Sequence, residues 1–188
     1  MTDAERDTWN QKYRSGDVPL PEGPTPALRE RVAWFPDGRA LDVATGLGRN
    51  ARFLADHGYR VDAIDVSREG LELARERTDP DAQIEWIEAD VDEYAFPERA
   101  YAVAVVSYYR NTDRLSDVLS ALVPGGVLVY EHPVSSPDER DPSSHAFAPN
   151  ELLHATLDAG DCTVLYYEED WATGVNRPKA VLVARCDT

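Results

Sequence analysis

The chain reads as an α/β fold: a Rossmann-like, mostly parallel sheet with helices on both faces and an antiparallel hairpin at its C-terminal end. Three observations predict this. Arg39 to Asp65 is a complete strand, glycine turn, helix and strand unit. Apolar strand runs then alternate with helical stretches as far as His132, a pattern that implies parallel strands with right-handed crossovers. Finally, the link between the strands at Thr163–Glu168 and Ala180–Ala184 is too short and too rich in Gly and Pro to contain a crossover helix, so these two must pair antiparallel. The length of 188 residues fits one domain, 1–188, with an N-terminal helical cap over 1–35 and the sheet-bearing core over 36–188.

Asp7 to Ser15 forms a short helix with Trp9 and Tyr13 one turn apart on one face. Gly16 to Pro26 holds four prolines and two glycines and is a loop. A helix over Pro26–Phe35 follows, and Pro36-Asp37-Gly38 turns into the first strand, which ends at Thr45. After the glycine turn a helix runs to about His57 and is capped by Gly58. Arg60–Asp65 is the second strand, Ser67 caps a helix to about Arg77, and Gln83–Glu88 is the third strand. Asp92–Pro97 is a short helical or irregular turn. Ala100–Ser107 is apolar enough for a central strand buried on both faces. A helix over Asn111–Leu122, a turn at Pro124-Gly125-Gly126 and a strand over Val127–His132 come next. Pro133 to Phe147 is a long polar loop that reads either as a lid or as plain surface, and Asn150–Ala159 is helical.

The glycine turn carries the chemistry. Gly46 and Gly48 let the backbone bend sharply and bring bare N–H groups to a ligand, and the next helix N-terminus favours negative charge. Asp65 ends the following strand, 19 residues after Gly46, where a carboxylate accepts hydrogen bonds from a ribose diol. A nucleoside-containing ligand is therefore expected. Gly46-x-Gly48-x-x-Ala51 also satisfies the dinucleotide fingerprint, so the glycines alone leave NAD and S-adenosylmethionine open. Asp42, inside the first strand, separates them: a buried carboxylate needs a donor, and an amino-acid ammonium would supply one. Asp90 lies on the same sheet edge, placed either for an adenine amino group or as a cap for the next turn. A chain of this length also leaves no room for an appended substrate domain.

Leu41-Asp42-Val43-Ala44-Thr45-Gly46-Leu47-Gly48-Arg49-Asn50, Ile64-Asp65-Val66-Ser67, Ala89-Asp90-Val91 and Leu122-Val123-Pro124-Gly125-Gly126-Val127-Leu128 resemble the successive motifs of class I S-adenosylmethionine-dependent methyltransferases. Gly48-Arg49-Asn50, with Trp9-Asn10-Gln11-Lys12-Tyr13, most resembles the small branch that includes tellurite-resistance and thiopurine-type methyltransferases. The resemblance implies a cofactor site. Gly46 and Gly48, with Ala44 and Asn50 in the same turn, would approach the methionine portion, and Asp42 would hold its ammonium directly or through water. Asp65, followed by Val66, would bind the ribose, Asp90 and the Val91 backbone the adenine, and Ser107 falls at the edge of the same crevice. The family often has Gly where Ala44 stands; Ala is small enough for binding to survive.

Transfer from a sulfonium requires in-line placement in a water-poor site more than covalent help. The acceptor side is expected after the fourth strand, at Ser107-Tyr108-Tyr109-Arg110. Tyr108 or Tyr109 would orient an acceptor or wall the pocket, and Arg110 would hold an anionic group; the alternative has one tyrosine packed inward and Arg110 solvated. His132 would accept a proton from a thiol or hydroxyl acceptor, or else is a structural histidine. Trp9 and Tyr13 would cover the cofactor or merely pack against the domain. Two rival functions remain: a minimal NAD(P)-binding oxidoreductase and a non-catalytic module that binds S-adenosylmethionine.

Composition bounds the rest. The chain has 20 Asp and 15 Glu against 17 Arg and 2 Lys, a formal charge of −16 and a pI near 4.5. Such an acidic, lysine-poor chain resembles proteins of salt-loving organisms, the alternative being an ordinary acidic enzyme. Either way a nucleic-acid footprint is not expected, because phosphate backbones require cationic patches. A small-molecule acceptor and a monomer or homodimer are expected instead. No apolar run approaches the roughly 18 residues of a membrane span and the N-terminus lacks signal-peptide character, which points to the cytoplasm. Cys162 and Cys186 match no redox or metal spacing, the four histidines are scattered, and no metal site is expected. If the hairpin turns near Gly174, cross-strand numbers sum to about 348 and Cys162 faces Cys186.

Overall fold

The computed structural model describes residues 3–18, 23–135, 145–170 and 178–187. Seven strands form one sheet: β1 (Arg39–Val43), β2 (Arg60–Asp65), β3 (Ile84–Glu88), β4 (Tyr101–Ser107), β5 (Leu122–Pro133), β6 (Cys162–Asp170) and β7 (Lys179–Cys186). Their order is β3-β2-β1-β4-β5-β7-β6. The first five are parallel, and β7 enters antiparallel between β5 and β6. Chain progression reverses between β1 and β4, so the carboxyl ends of those two strands open the crevice where such sheets take ligands.

Six helices complete the described residues: α1 (Asp3–Ser15), α2 (Pro26–Arg31), α3 (Arg49–Asp56), α4 (Arg68–Glu76), α5 (Leu115–Ser120) and α6 (Glu151–Ala159), with a 3-10 turn at Val32–Trp34 after α2. Alternation along the strands builds two cores. On one face Val61, Ala63, Val103, Val105 and Val129 pack against Leu28 of α2 and Ala51 and Leu54 of α3. On the other, Leu41, Val43, Ala104, Val106, Leu128 and Tyr130 pack against Leu115, Val118 and Leu119 of α5 and Leu152 of α6. This period-two division makes β4 apolar at nearly every position.

Helix ends follow local chemistry. The Ser67 hydroxyl accepts the Gly70 N–H at 3.1 Å as the N-cap of α4. Gly58, left-handed at φ 88°, ends the turn after α3, with its N–H on the Ala55 carbonyl and the Tyr59 N–H on that of Leu54. The helix expected over Asn111–Leu122 is shorter at both ends. The Asn111 side-chain carbonyl takes the Asp113 N–H, an alternative to helical bonding, and Leu122 already pairs with Tyr101 as the start of β5. Pro124-Gly125-Gly126 lies inside β5 as an irregularity, since pairing jumps from Tyr101 with Leu122 to Val103 with Val127. The first strand stops at Val43, because Ala44 is left-handed.

The C-terminal strands pair as expected. Cys162 faces Cys186, Thr163 faces Arg185 and Val164 faces Ala184; a bulge at Leu165 then moves Tyr166 opposite Val183. Neither cysteine is in a disulfide. The turn expected near Gly174 and the middle of the expected lid lie outside the described residues. The lid's described ends are tied together: the Ser135 N–H donates to the Phe147 carbonyl at 2.8 Å and the Phe147 N–H to that of Pro133 at 3.0 Å. Among the described residues no helix is long and apolar enough to cross a membrane.

Candidate functional site

The carboxyl ends of β1 and β2 are joined through Asp65. One of its carboxylate oxygens accepts the Gly46 N–H and the other the Ser67 N–H, each at 2.8 Å. The glycine turn is therefore fixed to β2 by a charge-assisted bond at the position where a ribose is expected. Ala44, Gly46 and Gly48 have φ of 54°, 56° and 71°. At Gly46 an added Cβ would lie 2.8 Å from the Tyr13 hydroxyl, and at Gly70 one would meet the same ring at 2.9 Å. Helix α1 thus lays Tyr13 across the turn. It is anchored there by the Asn10 side-chain carbonyl, which accepts the Ser67 hydroxyl at 2.8 Å, and by the Arg14–Glu69 ion pair. Burial, reinforced by the Asp65 charge, holds the Tyr13 phenol well above its usual pKa, so it is a neutral donor.

Beneath the turn, Asp42 is 1% exposed. One carboxylate oxygen accepts the Thr45 hydroxyl and, at 3.1 Å, the Ala51 N–H at the start of α3. The other is buried without a partner among the described residues. Burial raises the Asp42 pKa to about 6, against the pull of those donors, of the nearby Arg49 charge and of the Asn50 side chain. An orphaned carboxylate oxygen behind the glycine turn fits an ammonium group or a bridging water.

A second constellation lines the carboxyl ends of β4 and β5. The Asn50 side-chain amide donates to the Ser107 hydroxyl at 3.2 Å, and its carbonyl accepts the Thr25 N–H at 3.0 Å, tying α3, β4 and the entry to α2 together. Tyr108 follows with a left-handed backbone, φ 57°, and is 47% exposed. The Lys179 ammonium lies 5.0 Å and the Arg49 guanidinium 5.4 Å from the centre of its ring. Lys179 also donates at 2.9 Å to Glu131, which is 2% exposed. Burial alone would lower the Lys179 pKa; hydrogen bonds to Tyr108 and Glu131 outweigh it, and the ammonium is held above its ordinary value.

Residues 40–126 match the family model described as a methyltransferase domain. That match covers just under half of the chain, and what it shows is similarity to a methyltransferase domain over those residues. The chain is 33% identical over 108 residues to the demethylmenaquinone methyltransferase of Clavibacter sepedonicus, over 55% of this chain and 44% of that protein. The chain spans about half the length of the curated relatives it matches. Among solved structures, an S-adenosylmethionine-dependent methyltransferase from Mesorhizobium loti superposes with a TM-score of 0.67 at 22% identity, over 85% of this chain and 96% of that one. The glycopeptide N-methyltransferase MtfA, solved with S-adenosylmethionine, superposes with a TM-score of 0.66 at 19% identity, over 91% and 100%.

The fold brings Asp42, Ala44, Gly46, Asn50, Asp65, Ser107 and Tyr13 to the carboxyl ends of β1, β2 and β4, while several other expected residues have internal partners. Gly48 faces protein: an added Cβ would meet Trp86 at 2.3 Å and Ala74 at 3.3 Å, so its bare Cα lets the turn seat on α4 and β3. Val66 and Val91 are buried, and an Asp90 carboxylate oxygen accepts the Asp92 N–H at 2.9 Å, the capping alternative. Trp9 is 37% exposed on α1, with the Lys12 ammonium 4.3 Å over its ring. Tyr109 packs inward: its hydroxyl donates to Asp92 at 2.7 Å and its carbonyl accepts the Tyr130 hydroxyl. Arg110 stays exposed, with its side chain 37% accessible, but it pairs with Glu151 at the start of α6 and lies over Phe147.

His132 is likewise engaged. Its Nε2 lies 2.6 Å from the His145 carbonyl, which makes that nitrogen the donor and leaves Nδ1 as a buried acceptor without a partner among the described residues. Burial lowers its pKa, against the pull of that carbonyl, and the imidazole is neutral at pH 7. Its visible work is to pin the chain before Phe147 to β5. Three residues that were assigned no role from the sequence lie around Tyr108: Arg49, Glu131 and Lys179. Each left a signal: Arg49 stands in Gly48-Arg49-Asn50, Glu131 interrupts an apolar strand and Lys179 is one of only two lysines. Among the described residues no group of His, Cys, Asp and Glu could hold a metal ion.

Proposed function

We propose that the protein transfers a methyl group from S-adenosylmethionine to a small-molecule acceptor. The observation that carries this is the pairing of Asp65, locked at the end of β2 by the Gly46 and Ser67 N–H groups, with the orphaned inner oxygen of Asp42. The first presents a carboxylate to a ribose diol and the second a charge to an α-ammonium, on the adjacent strands β2 and β1. Asp90 and the Val91 backbone border the adenine end, and Ser107 with Asn50 floors the crevice on the acceptor side. Tyr13, already seated on Gly46, covers the cofactor and excludes water. The sulfonium brings an activated methyl; the chain's own work is to orient the acceptor in line and keep the site dry.

Several finer readings belong to the same proposal. The acceptor nucleophile is a soft one, a thiol or chalcogen oxyanion, as the Gly48-Arg49-Asn50 resemblance to the tellurite-resistance and thiopurine-type branch implies. The chain works as a single domain, as a monomer or homodimer, in the cytoplasm of a salt-loving organism, and without nucleic acid. Its charge of −16 supports the last two points.

The test is calorimetric binding followed by turnover. S-adenosylmethionine and S-adenosylhomocysteine should bind and raise the melting temperature while NAD and NADP do not. Asp65→Ala, losing charge-assisted ribose bonds, should weaken binding by on the order of 1.5–3 kcal/mol, roughly ten- to a hundredfold. Unchanged affinity in that variant sinks the ribose assignment. Binding without S-adenosylhomocysteine formation across thiol, tellurite and selenite acceptors would leave a non-catalytic binding module.

A further inference from the structure

The rim beside Tyr108 carries charge that the cofactor assignment does not use. Arg49 sits at the first position of α3, where its guanidinium reaches both the neighbourhood of Asp42 and the Tyr108 ring. Its Nη2 is buried and has no hydrogen-bond partner among the described residues, in a chain with 35 acidic side chains available. A buried cationic N–H without an acceptor is costly and marks a place where an acceptor is supplied from outside. Lys179 flanks the same ring from β7, its ammonium 5.0 Å from the ring centre and one of its three N–H donors on Glu131.

The two carboxylates facing these cations, Asp42 and Glu131, are 1% and 2% exposed, whereas Tyr108 is 47% and the Lys179 side chain 27% exposed. What the rim presents outward is therefore cationic and aromatic, although the chain as a whole carries −16. Tyr108 is also strained: a left-handed backbone is unfavourable for an L-residue, and such outliers persist where the surroundings impose them. Arg110, the cation that sequence reasoning placed here, is engaged with Glu151.

From this juxtaposition we propose that the methyl acceptor is an anionic small molecule, its carboxylate or equivalent oxyanion gripped by Arg49 and Lys179 on the two flanks of the Tyr108 ring. The proposal rests on the methyltransferase reading and adds the acceptor's charge. Held there, the acceptor lies at the carboxyl end of β4, next to Ser107 and beside the crevice that takes the cofactor. The repulsion that an acidic chain exerts on an anion makes a local cationic grip necessary for binding. The exposed ring adds a face for a planar acceptor.

Benzoate and benzamide, isosteres that differ in charge, provide the test, titrated into the full chain with and without saturating S-adenosylhomocysteine and followed by ligand-observed NMR. Benzoate should bind about tenfold or more tightly than benzamide, the contribution of one charge-assisted hydrogen bond. Arg49→Gln should remove most of that preference. Lys179→Gln is made together with Glu131→Gln, so that no buried carboxylate is stranded, and should also reduce it; benzamide binding should be unchanged in both variants. Equal affinity for the two probes, or a preference that survives both variants, overturns the anionic grip. If Arg49→Gln weakens S-adenosylhomocysteine binding but leaves benzoate untouched, Arg49 serves the cofactor's own carboxylate and the proposal fails. Failure of S-adenosylhomocysteine to bind the wild-type chain would instead overturn the methyltransferase reading.

Discussion

Replacing Lys179 by Met should destabilise the protein far more than the loss of one surface lysine. Glu131 is 2% exposed in β5, and the Lys179 ammonium at 2.9 Å is its ion-pair partner. The lysine side chain is itself only 27% exposed, so solvent screens the pair weakly. Breaking a buried pair by removing one partner costs roughly 3–5 kcal/mol, because the remaining charge is left uncompensated in a poor solvent. A rim position softens this, and about 3 kcal/mol is the expected figure. For a chain of this size about 1 kcal/mol moves the melting temperature by roughly 2–4 °C, so Lys179→Met should lower it by about 6–12 °C. Glu131→Gln alone should cost less, since the amide still accepts from the ammonium. Lys179→Met with Glu131→Gln should recover most of the loss, because no charge is then stranded. Urea melts of all four proteins give the coupling energy, expected at about 2 kcal/mol or more. A coupling below about 0.5 kcal/mol would show that the pair behaves as an exposed one and that Glu131 is solvated.

Three further outcomes are expected. Ala44→Gly relieves a left-handed alanine at φ 54° but adds unfolded-state entropy, so it should leave stability unchanged or raise it by up to about 1 kcal/mol, whereas Ala44→Val should lose at least about 1 kcal/mol; a valine variant as stable as wild type in thermal melts would refute the strain. Asp42 has a pKa raised by burial to about 6, so the ionised form that attracts an ammonium disappears as pH falls through that value. Cofactor affinity should then decline by up to about tenfold per pH unit below it, and Asp42→Asn should bind weakly with a flat profile; a steep wild-type decline persisting in the variant assigns it to another group. For stability the sign is opposite, because a raised carboxylate pKa favours the native state at low pH: the Asp42 penalty is absent below the ordinary aspartate range and grows as pH rises towards 6. With a net charge of −16, the melting temperature should climb between about 0.1 and 2 M KCl as repulsion is screened, and a flat dependence would favour an ordinary acidic enzyme.

Local chemistry and periodicity were enough to define the sheet and the glycine turn at its carboxyl edge. Apolar strand runs, the Gly46–Gly48 turn, the Ser67 cap and Asp65 at a strand end are all short-range features, and each is found in the structure, the first strand ending two residues earlier than expected. Even the pairing of Cys162 with Cys186 could be read from the sequence, because a hairpin's register follows from its turn, although the bulge at Leu165 could not. What the sequence left open was which polar side chains remain available once the chain has folded. Tyr109, Arg110 and His132 sit in the right stretch of sequence, yet Asp92, Glu151 and the His145 carbonyl engage them from 13 to 41 residues away. Lys179 and Glu131 are 48 residues apart and become one site only because β7 inserts antiparallel beside β5. A residue's identity and local spacing determine the element it joins. Its partners, and therefore its charge and availability to a ligand, depend on long-range packing that brings buried polar groups together until each is paired or left waiting for something to bind.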